Sequence, residues 1–178
     1  MTPRDLVLAN IANDAPDRIG LCFDRGRRND FVGSGLGPSP TWSQTRRVEG
    51  NREYYDDEWG NMWVRMTDGC TSGEVDTPAL DDWAKLDDLD LPDFDHPARY
   101  EQARELFARP TDQYRQFFVP GWVFATSRYL RKMEVYFTDL VAWPEEIHRL
   151  HDKVSGLIET VIRNAGAAGA DGIFFCED

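Results

Sequence analysis

The segment from Trp143 to Asp178 constrains the fold more than any other part of the sequence. Pro144-Glu145-Glu146 reads as a helix start, because proline is pre-set for the first helical position and acids favour the positive helix end. Trp143 holds the cap position, so the start lacks a side-chain cap. Ile147, Leu150, Val154, Leu157, Ile158, Val161, Ile162 and Ala165 then recur at three- and four-residue spacing and define one apolar face. Gly169 is the expected stop. Gly172-Ile173-Phe174-Phe175-Cys176 is a short, wholly apolar run, which predicts a parallel strand buried on both faces. Glu177 and Asp178 follow, where such a strand would present polar groups to a site. A helix followed by a buried strand ending in acids is one unit of a parallel α/β enzyme.

Composition narrows the class. With 178 residues, 41% hydrophobic and 12% aromatic, the chain is expected to form one globular domain. A net charge of −12 repels phosphate backbones, so nucleic acid is not an expected partner. No apolar run approaches the ~20 residues of a membrane helix, and no membrane partner is expected. Cys22, Cys70 and Cys176 are odd in number and widely spaced. That argues against a disulfide framework or a zinc knuckle and fits a reducing cytoplasm.

The other elements follow from local chemistry. Thr2-Pro3-Arg4-Asp5 combines a capping threonine, a first-turn proline and an acid three residues beyond the cap, predicting a helix to about Asn13. Ile19–Phe23 reads as a strand, and Asn29–Gly50 as a long irregular excursion anchored by Trp42. Asn61–Met66 reads as a strand, with Asp68-Gly69 turning it into a return over Thr71–Val75. In the acidic run Asp81–Asp90, Trp83, Leu86 and Leu89 are expected to face inward, and the glycine and terminal glutamate of a calcium loop are lacking. Pro97–Ala108 reads as an amphipathic helix. Phe117–Ala125 reads as a strand kinked at Pro120-Gly121. Tyr129–Val141 reads as a helix with Leu130, Met133, Phe137 and Leu140 as its buried stripe. His148 and His151 lack the spacing of a zinc motif, and no metal site is expected.

Several stretches, in this order, resemble one family. They are Met1-Thr2-Pro3-Arg4-Asp5 with Ala15-Pro16-Asp17-Arg18-Ile19, Asp57-Glu58-Trp59-Gly60-Asn61-Met62-Trp63, Tyr129-Leu130-Arg131-Lys132-Met133-Glu134, and Ala168 to Asp178. Together they resemble the uroporphyrinogen decarboxylase family, which also contains corrinoid-linked methyltransferases. Its members are (β/α)8 barrels of about twice this length. The resemblance therefore implies the α/β fold of the amino-terminal half of a TIM barrel over residues 1–178, with an inserted hairpin and long loops. Four barrel strands are expected: Ile19–Phe23, one near Asn51–Asp57, Phe117–Ala125 and Gly172–Cys176. Alone, such a half is expected to dimerise through its open side, aggregate or stay partly molten.

The same resemblance implies the site. Asp57, with Asp56 as the near alternative, would accept the pyrrole N–H groups. Arg25, Arg27 and Arg28 would hold substrate carboxylates, although the order Arg25-Gly26-Arg27 departs from the family's Arg-x-x-Gly-Arg spacing. Tyr129 would line the pocket, and Glu177 and Asp178 would stand at its mouth. Each has a plainer reading: a solvated basic turn, an exposed acidic turn, and an aromatic packed on a helix. The first expected function is cofactor-free decarboxylation of porphyrinogen acetate side chains. The alternative is methyl transfer from a small-molecule donor to a corrinoid or folate carrier, with zinc held by ligands of the other half. A third is an inactive half-barrel.

Overall fold

The computed structural model describes residues 1–23, 26–69 and 73–176. It is a mixed α/β structure with one parallel and one antiparallel sheet. Among the described residues no helix is long and apolar enough to cross a membrane. The chain divides into two compact units, the first built from 1–38, 95–120 and 159–176, the second chiefly from 39–94 and 121–158.

The first unit opens with helix α1 (Pro3–Ala12). The Thr2 hydroxyl accepts the Asp5 N–H, and the Asp5 carboxylate accepts the Thr2 N–H, so the expected capping box is formed. Ile19–Phe23 is not a strand. Ile19 is 70% exposed, and in place of a strand ladder Leu21 exchanges hydrogen bonds with Asp30, while the Ile19 and Phe23 carbonyls accept from the Arg18 and Asn29 side chains. The strand lies further on, inside the stretch expected to be irregular: β1 (Phe31–Gly35). Its two glycines hide it from propensity. One of them is required, because the Phe118 ring comes within 2.5 Å of where a Cβ on Gly33 would sit.

Strand β1 pairs in parallel with a later strand of this unit, Tyr114–Phe118, which in turn pairs in parallel with Gly172–Phe174. The predicted Pro97–Ala108 helix forms as a 3-10 turn over Pro97–Tyr100 running into Glu101–Phe107. Tyr100, Ala103 and Phe107 are buried, and Tyr100 stacks on Phe117 at 5.9 Å.

The second unit carries an antiparallel meander of β2 (Arg46–Glu49), β3 (Arg52–Asp56), β4 (Met62–Met66) and β5 (Glu74–Thr77), paired in that order. The β4–β5 hairpin follows the predicted Asn61–Met66 strand, but the return strand runs over Glu74–Thr77 and not Thr71–Val75, and residues 70–72 lie outside the described ones. The strand expected near Asn51–Asp57 exists as β3, but it is antiparallel and not a barrel strand.

Numbered in chain order, Glu101–Phe107 is α2 and Tyr114–Phe118 is β6. The apolar run from Phe117 does not continue as a strand to Ala125: β6 ends before Pro120, and helix α3 (Val123–Arg131) begins after Gly121. An unbroken apolar run cannot by itself distinguish a strand end followed by a buried helix start from one long strand.

The expected helix over Tyr129–Val141 is interrupted at Lys132, which has φ 64°, and resumes as α4 (Met133–Ala142). The break has a partner. The Leu130 carbonyl accepts the Leu80 N–H at 2.9 Å, and the Leu80 carbonyl accepts from Arg131 Nη1 at 2.7 Å. Resetting the helix phase turns Tyr136 and Asp139 inward and leaves Met133 and Phe137 each 48% exposed, so only Leu130 of the expected stripe is buried.

Helix α5 (Pro144–Ala167) forms as predicted, with Ile147, Leu150, Val154, Ile158, Val161 and Ala165 buried. In the second unit Leu80, Leu86, Leu130, Leu150, Val154 and Ile158 make one core cluster, with Trp83 and Leu89 packed on it as expected.

Gly172–Phe174 is β7, the edge of the parallel sheet β1-β6-β7. It is parallel, as expected, but not buried on both faces: Phe174 and Phe175 are more than two-fifths exposed. Asp171 fixes its start. One carboxylate oxygen accepts from Arg4 Nη2 and the other from the Arg115 N–H, while the Asp171 carbonyl accepts from the Tyr114 hydroxyl. That hydroxyl lies 2.1 Å from where a Cβ on Gly172 would be.

Candidate functional site

The residue expected to be central, Asp57, begins the turn between β3 and β4 and is half-buried. The turn closes on itself: Asp57 N–H donates to the Asn61 carbonyl and Gly60 N–H to the Asp57 carbonyl, both at 3.0 Å. The carboxylate sits inside this loop. Oδ1 accepts the N–H groups of Trp59 (3.0 Å) and Asn61 (2.9 Å). Oδ2 accepts Asn61 Nδ2 (2.9 Å) and Trp63 Nε1 (2.7 Å). A carboxylate offers about four accepting positions, so Asp57 is saturated by its own chain. Asn61 is buried and passes the connection on, its Oδ1 accepting the Ala79 N–H.

Around this turn opens a cleft of about 570 Å³. Trp42, Trp59, Met62, Ala79 and Leu89 supply apolar wall, and Asp56, Asp57, Glu58, Asp88 and Asp90 supply five carboxylates against the single ammonium of Lys85. Lys85 is already paired with Asp81 at 2.6 Å. Asp56 Oδ1 accepts the Thr45 N–H at 2.6 Å. Trp59 is braced edge-to-face on Phe94 at 5.5 Å. The aspartates at 88 and 90, and Trp42, are functional candidates that sequence reasoning placed elsewhere, on a solvated face and in an anchoring role. The readable signal was the Asp57-x-Trp59-x-Asn61 pattern with Gly60, which winds a turn about a carboxylate.

Tyr129 lies on α3 and is partly exposed, packing edge-to-face on Trp63 at 4.8 Å. Trp63 thus touches both predicted residues, holding Asp57 by its indole N–H and Tyr129 by its ring. Yet Tyr129 lines a different, smaller cavity of about 190 Å³, with Trp63, Arg128, Lys132 and Glu74. Arg128 Nη2 donates to its hydroxyl at 3.3 Å. Both packing and pocket-lining therefore apply to Tyr129.

Arg27 and Arg28 belong to the first unit and are exposed. Neither forms an ion pair among the described residues, and Arg25, Glu177 and Asp178 lie outside those residues. Among the described residues no group of three or more His, Cys, Asp or Glu is placed to hold a metal; the methyl-transfer alternative puts its zinc ligands in the other half.

One other buried charge cluster stands in the second unit. Arg131 donates from Nε (2.9 Å) and Nη2 (2.6 Å) to Asp139 Oδ2 and lies 4.3 Å over the Trp83 ring. It fastens the segment at Leu80, beyond β5, to the α3–α4 break and is structural. His151, hydrogen-bonded to the Tyr136 hydroxyl at 2.9 Å, is held below its ordinary pKa by burial and by neighbouring His148.

Comparison of the chain with family models, with curated proteins and with solved structures finds no match, so the local geometry and the sequence resemblance carry the functional argument.

Proposed function

We propose that this chain is the amino-terminal half of a (β/α)8-barrel enzyme resembling the uroporphyrinogen decarboxylase family, and that its reaction is methyl transfer rather than decarboxylation. The barrel reading is supported by the parallel sheet, whose strands β1, β6 and β7 stand side by side in chain order, with α2 leading into β6 and α3 to α5 between β6 and β7. Neighbouring parallel strands in chain order are how a singly wound barrel begins.

The observation that carries the choice of reaction is the saturation of Asp57. Decarboxylation of uroporphyrinogen needs this carboxylate as a free acceptor for pyrrole N–H groups. Here four donors of the same chain already occupy it. The cleft beside it presents further carboxylates, which repel a substrate that is itself a polycarboxylate. The broken arginine spacing points the same way.

In the methyl-transfer reading the cleft holds a small methylated donor, and the Asp57 turn fixes the shape of its wall. A corrinoid or folate carrier would receive the methyl group; no step is assigned to zinc, whose ligands this reading places in the other half. The test uses the protein as its gene encodes it. Transfer of a labelled methyl group from a methylated donor to a corrinoid or folate carrier is expected, with no carbon dioxide release from uroporphyrinogen. Decarboxylation without methyl transfer would restore the other activity. Neither activity would leave the chain an inactive half-barrel.

A further inference from the structure

We propose that the cleft beside the Asp57 turn binds a small organic ammonium ion, the cationic head of an alkylated amine. This deepens the methyl-transfer reading by naming the class of its donor, while the binding itself is tested without turnover.

The carboxylates alone would attract any solvated counter-ion. What selects an organic cation is their combination with an apolar, aromatic wall in one concavity. Trp42 and Trp59 present indole, the ring type that attracts cations most strongly through its face. Met62, Ala79 and Leu89 extend the wall with groups that suit alkyl substituents and offer nothing to a bare metal ion. The indole of Trp59 is braced by the Phe94 ring behind it, and the Trp59 backbone N–H is held by Asp57. The Trp42 N–H is held by the Ser39 hydroxyl at 3.2 Å.

Charge points the same way. Among the described residues the only ammonium lining the cleft, that of Lys85, is already committed to Asp81. Asp57 is saturated, and Asp56 has one oxygen engaged. The side chains of Asp88 and Asp90 have no hydrogen bond or ion pair among the described residues. Negative charge therefore stands uncompensated next to an aromatic surface, and a monocation with a greasy shell satisfies both. The volume, about 570 Å³, lies in the range of pockets for small organic ligands and exceeds what a hydrated metal ion needs.

The test is calorimetric titration of the whole protein with choline and with its uncharged isostere, 3,3-dimethylbutan-1-ol. Choline is expected to bind, and the isostere to bind about tenfold more weakly or worse. Trp42→Ala, and separately the pair Asp88→Asn with Asp90→Asn, should each weaken choline by roughly tenfold; thermal unfolding of the double asparagine variant should stay as in the parent, since Asp88 and Asp90 are exposed. The choline concentration that half-quenches tryptophan fluorescence should rise by the same factor in Trp42→Ala, where Trp59 still reports on the cleft. Equal binding of choline and isostere would overturn the proposal by showing an uncharged apolar site. Displacement of choline by equimolar calcium would overturn it in favour of a metal site. No binding at about millimolar choline would overturn it outright. Choline binding without methyl transfer would refute the reaction and leave the site standing.

Discussion

The two units of the chain solve the same problem, holding a small sheet together, in opposite ways. The first unit's parallel strands come from distant parts of the sequence: Phe31 pairs with Tyr114, and Gln116 with Gly172. Its strand starts are clamped by single carboxylates. Asp30, only 1% exposed, accepts both Arg18 guanidinium nitrogens (2.6 and 2.8 Å) and the Leu21 N–H, and Asp171 holds α1 and β6 to β7. In the second unit the meander is made of neighbours in sequence; Glu53 of β3 pairs with Arg46 of β2 and Arg65 of β4, and other carboxylates organise turns and helix breaks. Asp57 winds the β3–β4 turn, and Asp139 neutralises Arg131 at the α3–α4 break. The clamps of the first unit join elements far apart in sequence, whereas those of the meander and its turns join near neighbours.

The sharpest way to break this contrast is to remove one carboxylate from the second unit. Asp139→Ala leaves Arg131 buried with no counter-charge and should cost about 3–5 kcal/mol. Replacing both residues with apolar ones should recover most of that loss. Urea unfolding measures both; a loss below about 1 kcal/mol for the single variant would show that the pair is not a structural centre. In the first unit the comparable loss comes from packing. Phe117→Ala, at the middle of the parallel sheet, should cost about 3–5 kcal/mol. Hydrogen exchange should show that loss first in β1, β6 and β7.

Asp57→Asn should cost about 1–3 kcal/mol, because an amide offers two N–H groups where donors now point at an acceptor. If Asp57 shapes the turn, melting temperature falls together with any activity. Lost turnover with unchanged melting would return it to a direct role in the reaction.

Acid provides the next comparison. The Arg18 guanidinium holds the Asp30 carboxyl at about 2, although burial opposes this. In the unfolded chain the value is about 3.9, so the unfolded state takes up its proton first as the pH falls. The stabilisation is therefore complete above about pH 4 and is lost as the pH falls through about 2. Partial solvent access to Arg18 limits it to about 1–2 kcal/mol. Arg18→Met should remove this acid dependence, as followed by unfolding between pH 5 and 2.

The smallest effect belongs to His151. Its folded pKa is lowered, so the neutral ring is favoured in the fold, and its contribution is intact above the ordinary value of about 6.5. That contribution fades as the pH falls through the lowered value. A His151 ring resonance titrating at or above the ordinary value would contradict this.

Local chemistry made some of this legible in the sequence. The Thr2–Asp5 capping box, the α5 stripe and the β4–β5 hairpin each depend on residues within a few positions of one another. The failures all involve distant partners. Nothing near Lys132 announces a helix break, since the groups that compensate it belong to Leu80, about fifty positions earlier. Phe31–Gly35 could not be recognised as a strand without knowing that the Phe118 ring would cover Gly33. At the site, the turn about Asp57 could be read locally, but the meeting of Trp42 with Asp88 and Asp90 in one cleft could not. Arg25, Glu177 and Asp178 lie outside the described residues.

The Tyr114 hydroxyl at the place where a side chain on Gly172 would start has a consequence for inheritance. A codon change at 172 alone introduces atoms into occupied space, so the Tyr114 side chain must shift to admit it. Loss of the hydroxyl first, through Tyr114→Phe, removes the closest contact and leaves ring carbons at 3.0 and 3.1 Å, which need to give by only a few tenths of an ångström, at the cost of one hydrogen bond to the Asp171 carbonyl. The two positions should therefore drift as an ordered pair, tyrosine before glycine, and in a library randomised at both sites alanine at 172 should be enriched beside residues at 114 that lack the hydroxyl.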